Sequence, residues 1–570
     1  MLRNFKDGVM SFLGASSEAD GTKSGSDSDS AMEPVPQSEP TEASQVPNSA
    51  GGFSWQVSDL DQLRRFLVLG CEGGTYYACE KDLKDMNVAV IDKMIKENRG
   101  IEVVGLVKQY SVEGRTAKQD SILLALAICT RQDDKATKSA AYAALPEICR
   151  IPTHLFQFIE YAEKKSKDGT GWGRAHRKAI CKWYNSFKKN PKRLAMHVTK
   201  YRNRNGWTHR DVFRLSHPKP ESDAIGSIVK YVIKGLETAK KDYSSDTSAE
   251  DTIAVLEFLS AVEKAKDSNS EDEVVELIKK FGLVREHVPT ALLNSVSVWG
   301  ALLKDMPMTA LIRNLNKMTA VGLVGIGREE TKLVTDKLLN QDLLKKARIH
   351  PLNVLVAMNT YKRGSGEKGK LTWLPDQSIV SSLEEAFYLS FKFVEPTNKR
   401  HLLAVDVSGS MSCAISGTVG ISCATASACL SMVTARTESN FEVVAFSHKL
   451  TSVNITQRMT LNQVTKTFNR IRMGGTDCAL PMTWAAQNKK KFDVFVVYTD
   501  SETWFGNIHP AEALRQYRIK SGIWDAKLIV CGMAANQFTI ADPSDPGMLD
   551  MVGFDSAGPE IMRNFTLGQL

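Results

Sequence analysis

Apolar residues between Gly51 and about Val394 recur with the period of a helix. Ile225, Ile228, Val229 and Val232 stand at i, i+3, i+4 and i+7, and so do Val274, Leu277, Ile278 and Phe281. Met308, Leu311, Ile312 and Leu315 repeat the spacing in a segment opened by Pro307. Each set predicts one apolar stripe along a helix, with the opposite face left to water. His217-Pro218-Lys219-Pro220 and the stretch Gly364 to Gly369 interrupt the pattern as turns. Many short amphipathic helices without intervening strands predict stacked helix pairs, an α-solenoid. No fixed repeat period is visible, so the solenoid is expected to be irregular.

The texture changes near Pro396. Leu402 to Val407, Phe441 to Phe446, Phe492 to Tyr498 and Ala526 to Cys531 are short apolar runs of β-branched and aromatic character. Helical patterns lie between and after them, at Ile421 to Arg436, Leu461 to Ile471, Ala479 to Gln487 and Pro510 to Lys520. This alternation predicts an α/β, Rossmann-like domain with a parallel sheet covered on both faces. Ligands of such a sheet sit at the carboxyl ends of its strands.

Length and composition add boundaries. The 570 residues are too many for one core. Residues 1–50 are rich in Ser, Glu, Asp and Pro and are expected to form a disordered tail. The chain therefore divides into residues 1–50, a helical domain at 51–395 and an α/β domain at 396–570. No run of 18 apolar residues occurs, so no membrane span is expected. Met1 to Leu13 mixes charges among its apolar residues and lacks the core of a secretory signal. Ten cysteines without a C-x-x-C pair predict reduced thiols in an intracellular protein and no structural zinc.

Charge changes the picture more than composition does. Between Arg150 and Lys219, eighteen Lys and Arg oppose only four Asp and Glu, whereas the net charge of the whole chain is +8. A basic block of +14 in an otherwise acidic chain points to a polyanion partner. Trp172, Trp183, Tyr184, Tyr201 and Trp207 lie within the block. Such rings stack on unpaired bases or, more commonly, pack a helical core.

The second candidate site is a set of oxygen ligands. Asp406-Val407-Ser408-Gly409-Ser410 follows the first strand of the α/β domain. Gly474-Gly475-Thr476-Asp477 precedes a helix, and Tyr498-Thr499-Asp500 ends a later strand. Ser408, Ser410 and Thr476 are suited to ligate a small hard cation such as Mg2+ directly, with Asp406 and Asp500 in the shell or acting through water. So few formal charges leave the ion electrophilic, and an open position can accept a carboxylate from a protein partner. The plainer alternative is that Ser408 and Ser410 cap the following helix. The constellation resembles the metal-ion-dependent adhesion site of von Willebrand A domains, over residues 396–570.

A wider resemblance is carried by Trp55-Gln56-Val57, Glu72-Gly73-Gly74-Thr75-Tyr76-Tyr77, Cys149 to Phe156, Trp172-Gly173-Arg174-Ala175, Asn205 to His209, Lys345 to Pro351 and Thr539 to Pro543. These segments are similar to the TROVE-domain family of ribonucleoproteins from about residue 53 to 570. The resemblance implies a monomeric ring of irregular HEAT-like helical repeats, closed by the von Willebrand A domain. It implies binding of small Y RNAs to an outer basic surface. Misfolded non-coding RNAs, such as defective 5S ribosomal RNA precursors, would enter a central hole by a single-stranded end. The implied location is cytoplasmic, with a nuclear fraction. Lys200, Arg204 and His217 fall on the family's Y-RNA positions. Lys200 and Arg204, four residues apart, are expected to share one helix face and grip adjacent phosphates, while a His before a Pro shapes a turn more often than it binds RNA. Arg150, Arg174, Arg177, Lys178 and Arg214 are further candidate contacts.

Two other functions fit less well. A protein-interaction module would use the metal site to capture an acidic partner and leave the basic helices solvated. A metal-dependent nuclease needs a cluster of carboxylates, and only Asp406 and Asp500 are in place, with no evident nucleophile and base. The expectation is a binding protein, not an enzyme.

Overall fold

The structure, a computed structural model, describes residues 34–166, 172–244, 249–366 and 370–570. The expected tail therefore lies outside the described residues as far as residue 33, as do Lys167, Asp168 and part of the turn after Gly364.

Nineteen α-helices run from Asp59 to Leu389 among the described residues. The three apolar stripes fall in the helices Asp223–Lys234, Glu271–Phe281 and Met308–Ala320. Ile225, Ile228, Val274, Ile278, Leu311 and Leu315 are buried in one continuous core. The sequence also sets the ends of these helices. Ser222 and Ser270 accept N-terminal backbone hydrogens through their side chains, and Gly282 stops the second helix in a left-handed conformation at φ 69°.

Neighbouring helices pack in pairs, Gly100–Glu113 on Lys135–Ile148, Asp120–Thr130 on Pro152–Lys164, and Lys135–Ile148 on Arg174–Asn185. Further along, Asp223–Lys234 packs on Glu250–Asp267 and Met308–Ala320 on Pro351–Arg363. The array then returns to its beginning. Arg348 Nη1 donates to the Ser111 carbonyl at 3.1 Å, and Asn353 Nδ2 donates to the Ala117 carbonyl at 2.9 Å. These bonds span 237 and 236 residues and close the helices into a ring.

Two features depart from an all-helical reading of this region. Asn203–Arg204 and Trp207–Thr208 form a small antiparallel hairpin. Its turn is Asn205-Gly206, at φ 53° and 77°, the pair that a tight primed turn demands. Residues 34–50, expected to belong to the disordered tail, have a defined path. Val46–Pro47 pairs with Phe53–Gln56, which in turn pairs with Phe538–Thr539 of the α/β domain. Buried Gln37, Gln45 and Asn48 satisfy polar groups there that the tail's composition did not reveal.

The α/β domain is a six-stranded sheet in the order Met548–Val552, Lys527–Gly532, Val494–Thr499, His401–Asp406, Phe441–Phe446, Leu450–Val453. All pairings are parallel except the last. The four strands read from the sequence pair in parallel as expected; Leu450–Val453 is not among them, and it runs antiparallel because only Ser447-His448-Lys449 separate it from Phe441–Phe446, too few for a crossover. His401–Asp406 and Val494–Thr499 are buried at every position, as central strands covered on both faces must be.

Charged side chains join the two domains. Arg65 is fully buried, donates to Asn536 Oδ1 at 3.0 Å and the Phe538 carbonyl at 2.8 Å, and pairs with Asp550. Arg115 Nε donates to Asp555 Oδ1 at 2.9 Å while its guanidinium lies 4.0 Å from the Tyr110 ring centre.

Candidate metal centre and nucleic-acid interface

The carboxyl ends of His401–Asp406 and Val494–Thr499 are adjacent strand ends, so Asp406 and Asp500 meet across one sheet edge. Asp406 Oδ1 accepts from the Ser408 N–H at 2.8 Å, and its Oδ2 accepts from the Thr499 hydroxyl at 2.6 Å. The Ser408 and Ser410 hydroxyls are 3.2 Å apart. Asp500 is held by the Glu502 N–H at 3.2 Å, and Ser410 hydrogen-bonds to its side chain. The third loop reaches the same edge: Gly409 N–H donates to the Gly474 carbonyl at 3.2 Å, and Thr476 is buried beside it. The structure thus brings Asp406, Ser408, Ser410 and Asp500 together, with the Thr476 loop against them. Among the described residues no three His, Cys, Asp or Glu converge as a metal cluster, so the donor set is one of hydroxyls and a carboxylate pair.

Burial and the neighbouring Asp500 push the Asp406 carboxyl up to about 7, and burial raises Asp500 as well. Two buried carboxylates that repel each other, with the Ser408 and Ser410 hydroxyls at the same edge and the Thr476 loop against them, fit a hard divalent cation. The cation would be held by Ser408, Ser410, Thr476, Asp406 and Asp500. A testable consequence concerns the metal-free protein. A carboxylate whose folded pKa is raised loses stability as pH climbs from its unfolded value towards the folded one. Asp406→Asn removes that charge, so in chelator the stability of the variant relative to wild type is expected to improve as pH rises from 5 to 8. The same variant should show no thermal response to added Mg2+. Denaturant melts with and without the cation read both effects.

The basic block is built differently from what its spacing suggests. On the helix Arg174–Asn185, His176, Ala179, Ile180, Trp183 and Tyr184 face the core. That leaves Arg174, Arg177, Lys178 and Lys182 on the opposite face, turned to solvent and with no ion-pair partner among the described residues. Arg214 is exposed on the helix His209–Ser216, which packs against it. Trp172, Trp183 and Tyr184 are core residues, while Tyr201 and Trp207 are half-buried.

Lys200 and Arg204 do not share a helix face. The helix Pro191–Lys200 ends at Lys200, and the Asn-Gly turn puts Arg204 on the hairpin, exposed. Lys200 Nζ lies 5.2 Å from the Tyr201 ring centre and 3.8 Å from Glu286. His217 caps the helix His209–Ser216 in a left-handed conformation at φ 51° and is exposed. Arg150 is half-buried beside Arg348, and burial with that second guanidinium pulls it down to about 10. Its Nε has no hydrogen-bond partner. Two arginines side by side at the ring closure form a pair of phosphate-seeking groups. Arg348 was missed in the sequence because its value depends on a neighbour 198 positions away, visible only in the fold.

Comparisons with known proteins agree with this architecture. A family model described as the TROVE domain matches residues 46–360, and one described as the Ro60 vWA domain matches residues 400–566. An "RNA-binding protein RO60" of Caenorhabditis elegans is 40% identical over 604 residues, covering 95% of this chain and 93% of its own. A protein of the same name from Deinococcus radiodurans is 37% identical, covering 94% and 98%. The crystal structure of the Deinococcus radiodurans RO (RSR) protein is similar with a TM-score of 0.64 and 35% identity, covering 90% of this chain and 100% of that one.

Proposed function

Because this chain belongs to the Ro60 family of TROVE-domain proteins, we propose that it binds structured non-coding RNA through its basic helices as the protein of a small ribonucleoprotein. The observation that carries this reading is the unopposed row Arg174, Arg177, Lys178 and Lys182 on one exposed helix face. A solvated helix face ordinarily mixes its signs, and a single-sign ridge attracts a polyanion. Spaced over neighbouring helices with Arg214, these cations suit the backbone of a folded RNA, whose recognition rests on shape and phosphates.

In this reading a Y-type RNA lies along the basic ridge, with Lys200, Arg204 and His217 at its margin. A misfolded RNA, of the defective 5S precursor class, offers a single-stranded end to the ring. The half-buried pair Arg150 and Arg348 at the ring closure would take a phosphate of that end. The α/β domain holds a divalent cation, Mg2+ by the chemistry of its oxygen donors. When bound, the cation supplies positive charge that offsets the repulsion between Asp406 and Asp500.

A gel-shift titration with a Y-type hairpin tests the reading. Lys200→Ala/Arg204→Ala is expected to weaken binding about 10-fold, in keeping with two phosphates left unneutralised. Asp406→Ala should bind RNA as wild type does. Folded wild type that leaves the hairpin unshifted at low salt would falsify the proposal.

A further inference from the structure

The loop between the helices Asp59–Leu69 and Glu80–Lys96 belongs to the helical ring, yet it lies on the metal edge of the α/β domain. Glu72, Thr75 and Tyr76 line one side of a cavity of about 20 Å³ whose other side includes Ser410, Cys413 and Asp500. That volume accommodates a single water-sized species. The loop is packed closely against the α/β domain. A Cβ added to Gly417 would stand 2.9 Å from the Glu72 carbonyl oxygen. Asn87 Nδ2 donates to the Ala535 carbonyl at 3.1 Å, and Lys118 Nζ donates to the Ser416 carbonyl at 2.7 Å. Burial raises the phenol of Tyr77, from the same loop, and the charges of Asp500, Glu502 and Asp406 add to the rise.

Glu72 is the one acid in the stretch from Gly70 to Cys79. Its Oε2 is buried and accepts no hydrogen bond. Lys118 Nζ, 4.0 Å away, is its ion-pair partner, too far for a hydrogen bond. A buried carboxylate oxygen without a donor is costly. It lines the same cavity as Ser410 and Asp500, beside a hydroxyl-rich donor set that would take a further hard oxygen ligand on a bound cation.

We propose that Glu72 supplies the carboxylate that completes the metal site, directly or through one water, so that a cation bound there clasps the helical ring to the α/β domain of the same chain. This rests on the reading that Asp406, Ser408, Ser410, Thr476 and Asp500 hold a divalent cation. The site is then a metal-dependent fastening within the molecule, and its open position faces inward to the ring's own loop.

Calorimetric titration of the full chain with Mg2+ and Mn2+ separates the two ideas. Absence of binding by wild type overturns the metal reading itself. Given binding by wild type, Glu72→Gln is expected to lower affinity about 10- to 100-fold and to lose most of the cation-induced rise in melting temperature. In chelator, Glu72→Gln should melt close to wild type, since the Glu72 side chain is partly exposed and its ion pair with Lys118 is long, at 4.0 Å. Acetate should restore part of the affinity in Glu72→Ala and none in wild type. Lys118→Met leaves Glu72 in place and removes the competing ammonium, so it is expected to tighten cation binding severalfold. Equal cation affinity in wild type and Glu72→Gln, or weaker binding in Lys118→Met, overturns the clasp and returns the open position to a carboxylate from outside the chain.

Discussion

Acidified from pH 7 to pH 5, the protein is expected to lose its helical ring in one steep transition that takes up about six protons. His154, His176, His197, His209, His287 and His350 are all pulled down by burial, to about 3 or 4. Five of the six have a ring nitrogen with no hydrogen-bond partner, at His154 Nδ1, His176 Nε2, His197 Nδ1, His209 Nε2 and His350 Nε2. An imidazolium in those places would carry an N–H with nothing to accept it. The unfolded chain, with histidines near 6.5, binds more protons at any pH between that value and about 4. Stability is therefore complete above pH 6.5 and falls as pH drops through it. At pH 5 each histidine contributes about 2 kcal/mol of loss. Six together match the whole stability of an ordinary domain, about 5–15 kcal/mol. Circular dichroism against pH, with proton uptake measured at the midpoint, reads the effect. A ring that stays folded to pH 4 without taking up protons would contradict this account.

Reversing three charges on the basic ridge is expected to lower RNA affinity about 1000-fold at low salt. The triple variant Arg174→Glu/Arg177→Glu/Lys178→Glu leaves the buried face of its helix untouched, because Ala179, Ile180, Trp183 and Tyr184 lie on the other side. Its melting temperature should thus stay close to that of wild type. A cation that no longer neutralises a phosphate no longer releases that phosphate's counterion. The slope of log affinity against log salt should therefore become shallower by about two to three. Binding titrations at several salt concentrations give both quantities. Unchanged affinity and slope in the triple variant would place the RNA elsewhere on the ring.

Much of this was legible in the chain. Ile225, Ile228, Val274, Ile278, Leu311 and Leu315 announced their helices by spacing, because each helix buries one stripe against its neighbours. The four principal strands were readable as unbroken apolar runs, since both faces of the sheet are covered. The edge strands were harder. Leu450–Val453 is only four residues long with Thr451 and Ser452 at its middle, and Met548–Val552 is interrupted by Asp550, whose partner Arg65 lies 485 residues earlier. That Asp406, Ser408, Ser410 and Asp500 share one sheet edge was readable because loops at fixed places in the strand order must converge. Helix ends were not. The helix face expected to hold both Lys200 and Arg204 ends at Lys200, because the Asn205-Gly206 turn draws Asn203–Arg204 into a hairpin. Arg348 and Glu72 could not be ranked in the sequence at all. Their interest comes from what the ring closure sets beside them.

The strand Phe53–Gln56 has its partner at Phe538–Thr539. During synthesis those two segments are separated by roughly 25–100 s of elongation. Through that interval the emerging chain carries an unpaired strand edge and, at Arg65, a cation destined for complete burial. The helices can close through Arg348 and Asn353 well before that, but the seam to the α/β domain has to wait for Phe538–Thr539, and an unpaired edge exposed for so long invites pairing with other chains. The order of events is written into the topology: helices form as they emerge, and the seam is sewn last.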